Sequence, residues 1–222
     1  MISLTLKLLR ALSPRREDLF ANLGLSLALV AMTAFAGESA VAMINAGMPA
    51  ECAEYASNVS SSEGNFRSTS PVVNGTTCYG AFQFCDSGTL QAYWSGSSSE
   101  FLANRSAQVS AWVKLQKNEW AAAQRLGMSS MVGQQVCYRG TCATITQSSI
   151  LKACQFGCQG TKSKLYRLMQ SGLDCNAPGT TDGAGTSVCK YLVSGAGYNV
   201  GCITNSNDGV DCSPVAAAPR VE

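Results

Sequence analysis

Two short stretches carry residues able to move a proton or hold a sugar. One is Ser61-Ser62-Glu63-Gly64-Asn65-Phe66; the other is Cys78-Tyr79-Gly80-Ala81-Phe82-Gln83-Phe84. A lone Glu at the end of an amphipathic helix is ordinarily just solvated. Here the intervening residues 64–80, rich in Gly, Ser, Thr and Asn and containing Pro71, let the Gly-aromatic-Gln segment turn back over the helix end. An acid then stands on one wall of a cleft and an amide on the other. A carboxyl shielded by Phe66, Tyr79 and Phe82 would have a raised pKa and could protonate a glycosidic oxygen. Glu63 is the candidate general acid, and Tyr79, Phe82 and Gln83 are the candidate substrate contacts.

Composition removes most competing chemistries. The chain has 222 residues, 46% hydrophobic and 14% charged, with 16 Lys+Arg, 14 Asp+Glu, 11 cysteines and no histidine. Without His, a Ser-His-Asp hydrolase, a Cys-His protease and a His-ligated zinc enzyme are excluded together. Acid–base work falls to Asp, Glu, Lys, Tyr or Cys. A net charge of +2, with no run of Lys or Arg beyond the first sixteen residues, argues against a nucleic-acid binder. No Cys-x-x-Cys pair occurs, so neither a metal site nor a cofactor is expected.

Lys7, Arg10, Arg15 and Arg16 precede an apolar run over residues 19–36, which ends in Ala34-Phe35-Ala36; Ala40-Val41-Ala42 is a second small-residue option. This is the order of a secretory signal. The competing reading is an uncleaved anchor of about 18 residues, at the short end of a bilayer span. The expected organisation is a signal or anchor over residues 1–42, one domain over 43–201, and a disulfide-closed loop with a flexible tail over 202–222. The protein is expected to be periplasmic or secreted, touching membrane only through its N-terminal segment.

Export accounts for the cysteines, which oxidise outside the cytoplasm. Cys137 and Cys142 read as a disulfide-closed turn with Gly140 inside it, and Cys202 and Cys212 as a closed terminal loop. Cys154 and Cys158 lie one helical turn apart, so each is expected to reach a partner elsewhere. An odd number leaves at least one free thiol or an intermolecular bridge.

The elements that position these residues are mainly helical. Helices are expected over 50–62, from Asp86 or Ser87 through Tyr93, over 100–126, from Thr146 or Ser148 to 155, from Thr161 to Gly172, and from Ser187 to 193. Asp86 reads as an N-cap. In the longest helix Val109, Trp112, Val113, Gln116 and Trp120 form one stripe, and its tryptophans read as core rather than as sugar-stacking platforms. Residues 136–145 alternate as a hairpin, and 176–186 read as a Gly/Thr/Pro loop.

Taken together, these segments resemble the lysozyme-like superfamily of lytic transglycosylases and phage-tail or secretion-associated peptidoglycan hydrolases. Glu63-Gly64-Asn65-Phe66 and Gly80-Ala81-Phe82-Gln83-Phe84 resemble its catalytic-Glu and G-x-aromatic-Q-aromatic segments. Phe101-Leu102-Ala103-Asn104 with Gln108 resembles its F-L-x-N-x-x-x-Q helix start, and Ile145-Thr146-Gln147-Ser148-Ser149-Ile150-Leu151 its I-T-x-S-x-L-L. Gly185-Thr186-Ser187, Tyr191-Leu192 and Gly197-Tyr198-Asn199-Val200 resemble its C-terminal motifs, so the likeness runs over roughly residues 50–200. The chain departs from the family at two places. Ser61 stands where the family carries its Glu, and a shift of two helical residues turns a side chain by about 200°. Gln155 stands where the family has the His or Tyr that lines the cleft; an amide can bond an N-acetyl or hydroxyl group but cannot exchange protons.

The resemblance implies a mainly α, lysozyme-like domain with a short β or loop excursion, stapled by disulfides. It also implies cleavage of peptidoglycan glycan strands by one Glu acting as acid and then base, with Tyr79, Phe82, Gln83 and Gln155 holding substrate. Service to a secretion, conjugation or phage-like apparatus belongs to the same implication. The alternative is a catalytically inactive lysozyme-fold module that binds glycan or serves as a structural part of such an apparatus.

Overall fold

The computed structural model describes residues 37–181 and 185–205; residues 1–36 of the expected signal segment and the tail with Cys212 lie outside them. Helix α1 (Ala40–Asn45) is capped by the Ser39 hydroxyl, which accepts from Ala42 N–H, and buries Met43. It packs on helix α2 (Ala53–Glu63) and straddles the expected boundary between residues 42 and 43. Of the two small-residue sites, only Ala34-Phe35-Ala36 would leave α1 whole. A 3-10 turn over Ala50–Cys52 leads into α2, whose buried face carries Ala53, Tyr55, Ala56, Val59 and Ser60 at helical spacing.

A two-stranded hairpin, β1 (Cys78–Tyr79) against β2 (Phe84–Cys85), is followed by the short helix α3 (Thr89–Tyr93). The expected cap Asp86 does not cap α3. Its carboxylate instead accepts from the Thr77 N–H at 3.0 Å and the Tyr79 hydroxyl at 3.3 Å, bracing the hairpin. The periodic stretch expected as one helix over 100–126 is two, α4 (Ser98–Ala103) and α5 (Arg105–Arg125). Asn104 divides them because its side chain accepts from Ala107 N–H at 2.9 Å, an N-cap bond that favours extended backbone at that residue.

β3 (Gln135–Tyr138) and β4 (Thr141–Thr144) form the expected second hairpin, turning through Arg139 and Gly140, both at positive φ. Helix α6 (Gln147–Ala153) is capped by Thr146 and continues as a 3-10 turn over Cys154–Phe156. Helix α7 (Lys164–Gln170) is capped by Ser163 rather than by the expected Thr161, and α8 (Val188–Ser194) by Ser187 as expected. A last short helix, α9 (Gly201–Thr204), ends the described chain.

The core centres on Trp112 of α5, which is fully buried. Phe82 stacks on it at 4.4 Å between ring centroids, and Tyr55 of α2 lies 5.6 Å away. One aromatic group therefore ties α2, the β1–β2 turn and α5 together, which agrees with a core role for Trp112.

Among the described residues five disulfides staple this mainly α architecture: Cys52–Cys202, Cys78–Cys85, Cys137–Cys142, Cys154–Cys158 and Cys175–Cys189. The turn closed by Cys137 and Cys142 is as expected. Two expectations fail. Cys202 bonds Cys52 and not Cys212, because α9 packs against the 3-10 turn that carries Cys52. Cys154 and Cys158 pair with each other, because the α-helix tightens to a 3-10 turn at Cys154 and the chain reverses through Gly157 at φ 80°. A set of disulfides like this fits an oxidising compartment. Among the described residues no helix is long and apolar enough to cross a membrane.

Candidate active site

Glu63 is the last residue of α2 and half-buried. Burial pushes its carboxyl above the ordinary range, and the ammonium of Lys152 pulls partly the other way. The C-terminal end of a helix also disfavours a negative charge. Lys152, on α6, is only 5% exposed; burial pushes it down, Glu63 restores part of the loss, and Lys190 lowers it further. Its ammonium donates to Asn58 Oδ1 on α2, and Asn58 Nδ2 donates to the Tyr198 hydroxyl at 2.8 Å. A half-buried acid and a buried base are thus coupled, each displaced toward its neutral form by desolvation. Such pairs are characteristic of functional sites.

Gln108, on α5, is fully buried. Its Oε1 accepts from Ala81 N–H at 3.0 Å, while its Nε2 donates to Phe66 O at 3.0 Å and Phe101 O at 3.1 Å. One amide therefore binds the loop after Glu63 to the Gly80–Phe84 turn. Gly80 is required by this approach: a Cβ there would lie 2.1 Å from Gln108 Oε1, and its φ is 78°. The turn leaves Gln83 at φ 50°, an uncommon conformation for a residue with a side chain. Gln83 Nε2 donates to Gly80 O at 2.9 Å and lies 3.3 Å from where a Cβ on Gly64 would stand. The Gln83 amide thus adjoins the residue directly after Glu63.

Beyond Gln83 opens a cavity of about 220 Å³, lined among others by Phe82, Gln83, Gln116, Glu119 and Gln155. Three of the residues expected to hold substrate therefore share one cavity. Neither Glu63 nor Tyr79 is among its lining residues, and the Tyr79 hydroxyl is engaged by Asp86.

Sequence reasoning missed Lys152, Glu119 and the Asn58–Tyr198 pair. Lys152 sits in the apolar run Ile150-Leu151-Lys152-Ala153, where a lysine is out of place, and that was a usable signal. Glu119 falls seven residues after Trp112 and three after Gln116, on the same buried stripe of α5. Tyr198 belongs to a motif with no role assigned to it; the fold brings its ring to 6.2 Å from that of Tyr55, on α2. Glu119 also lies with the sulfurs of Cys154 and Cys158 within 4.8 Å of one another, but a disulfide offers no thiolate to a metal.

Compared with known proteins, the chain matches no family model, no curated protein and no solved structure.

Proposed function

We propose that the protein is an exported enzyme that cleaves peptidoglycan glycan strands in the manner of a lytic transglycosylase, on a lysozyme-like domain. The observation that carries this reading is the half-buried Glu63 carboxyl at the end of α2, its proton affinity raised by burial, with the Gln83 amide adjoining the next residue. Neutral Glu63 donates its proton to the glycosidic oxygen as the bond from the anomeric carbon breaks. The carboxylate left behind is stabilised by the nearby Lys152 ammonium. It then takes the proton from the sugar's own hydroxyl as that oxygen bonds the anomeric carbon. The products are a free chain end and an internal anhydro ring, with no water consumed. The five disulfides suit a periplasmic or secreted location, and the substrate suits service to a secretion, conjugation or phage-like apparatus.

A second reading, a catalytically silent glycan-binding or structural module, draws on Ser61 in the place of the family's Glu and on Gln155 in that of its His or Tyr. Zymography on purified peptidoglycan separates the two. Wild type should clear the substrate, and Glu63→Gln should lose at least about a hundredfold in rate, the lower range for a general acid. Equal clearing by both proteins sinks the mechanism, and clearing by neither favours the binding module. Mass spectrometry should find anhydro-sugar ends; reducing ends would identify a hydrolase.

A further inference from the structure

We propose that a second cavity, between the β3–β4 turn and α8, is a binding site for a phosphate ester. This inference goes beyond the glycan-cleaving reading and does not rest on it. The cavity has a volume of about 450 Å³ and shares no lining residue with the one beside Gln83. Tyr138, Arg139 and Thr141 line it from the hairpin; Lys190, Val193 and Ser194 line it from α8.

Both walls are fixed before any ligand arrives. The Cys137–Cys142 bridge closes the hairpin turn, whose tip residues Arg139 and Gly140 have φ 49° and 83°. The Arg139 guanidinium lies over the Tyr138 ring, 5.3 Å from its centroid, and the ring orients it. α8 is pinned at its start by the Cys175–Cys189 bridge. Just past its end Gly195 packs on α6, where a Cβ would stand 2.6 Å from Lys152 Cβ. A site held in this way spares its ligand much of the cost of ordering it.

The lining selects an anion. Among the described residues no carboxylate lines the cavity, and neither Arg139 nor Lys190 is paired with one. Two cations in one concave surface, without a counter-charge, concentrate positive potential there. The guanidinium and the Thr141 hydroxyl come from one wall, the Lys190 ammonium and the Ser194 hydroxyl from the other. A tetrahedral phosphate offers oxygens to both walls, whereas a planar carboxylate offers two in one plane. Cavities from about 300 Å³ upward hold whole small molecules, so the phosphate carries an organic group, to which Val193 gives apolar contact.

Calorimetric titration of the full chain tests this, at about 0.15 M salt so that loose surface attraction is screened. The probes are glycerol 1-phosphate, inorganic phosphate, glycerol and a poly(glycerol phosphate) chain. An ester should bind more tightly than inorganic phosphate, and glycerol should not bind. Arg139→Asn, which tolerates the positive φ, and Lys190→Gln should each weaken the ester at least about tenfold, the loss expected for one charge-assisted hydrogen bond. Both residues are exposed, so neither change empties the core, and thermal melts check the fold. Lys117→Gln, at an exposed position of α5 outside the lining, should leave binding unchanged. Tighter binding of the polymer than of the monoester identifies a phosphodiester chain as the source, and the reverse a soluble monoester. The inference is overturned if neither ester binds, or if both cavity variants bind as wild type does. Equal affinity for the esters and inorganic phosphate, the mark of an adventitious ion only, also overturns it.

Discussion

Glu63 and Lys152 oppose one another's displacement, and this fixes the sign of a pH effect. A general acid works while protonated. Burial raises the Glu63 carboxyl, so the proposed activity persists above the ordinary carboxylate range and falls as pH rises through the raised pKa. Lys152 limits that rise. Lys152→Met keeps an apolar stem and removes the ammonium, so the carboxyl should be pushed further up. In pH–rate profiles of kcat/KM, the descending limb of Lys152→Met should therefore move to higher pH than in wild type. A shift to lower pH, or none, would show that the two groups are not coupled in solution. Of this candidate site, Glu63 and Gln83 could be nominated from the sequence because their chemistry stands out within short motifs. Lys152 was not, because an apolar run reads as core and only packing reveals what a buried cation faces.

At the scale of elements, one amide ties the candidate site together. Gln108 joins the loop after α2, the β1–β2 turn and the end of α4 through its bonds to Phe66, Ala81 and Phe101. Gln108→Ala removes these bonds and leaves a buried N–H and buried carbonyls without a partner. At roughly 1 kcal/mol for each lost bond, and more for groups left unsatisfied, the expected loss is about 3 kcal/mol, measured by urea denaturation. The proposed activity should fall as well, since the loop after Glu63 and the Gly80–Phe84 turn come loose together. A loss below about 1 kcal/mol would mean that the turn is held chiefly by Phe82 on Trp112. Most helix positions were legible from hydrophobic period. The break at Asn104 was outweighed in that reading, because the apolar period runs through it while a single N-cap bond decides the backbone there.

For the molecule as a whole, the disulfides differ in what they constrain. Cys52–Cys202 spans 150 residues and joins the two ends of the described domain, whereas Cys154–Cys158 spans 4. Loop-closure entropy assigns about 5 kcal/mol to the first and about 2 kcal/mol to the second. Replacing both cysteines of each pair by serine and comparing guanidinium midpoints should show the longer bridge costing more by about 3 kcal/mol. Equal losses would mean that the unfolded chain is already compact around its remaining bridges.

Residue types and local spacing by themselves determined the mainly helical character, the hairpin closed by Cys137 and Cys142, the exclusion of histidine chemistry, and the nomination of Glu63 and Gln83 as candidates. Each of these depends on neighbours within a few residues, where backbone geometry leaves little freedom. The tertiary structure decided what depends on distant segments meeting. It paired Cys202 with Cys52, brought Lys152 within electrostatic reach of Glu63, turned the Tyr79 hydroxyl toward Asp86, and brought Glu119 of α5 to the same cavity as Gln83 and Gln155. Those contacts follow from which helix faces pack together, and packing is a property of the whole buried surface rather than of any single motif.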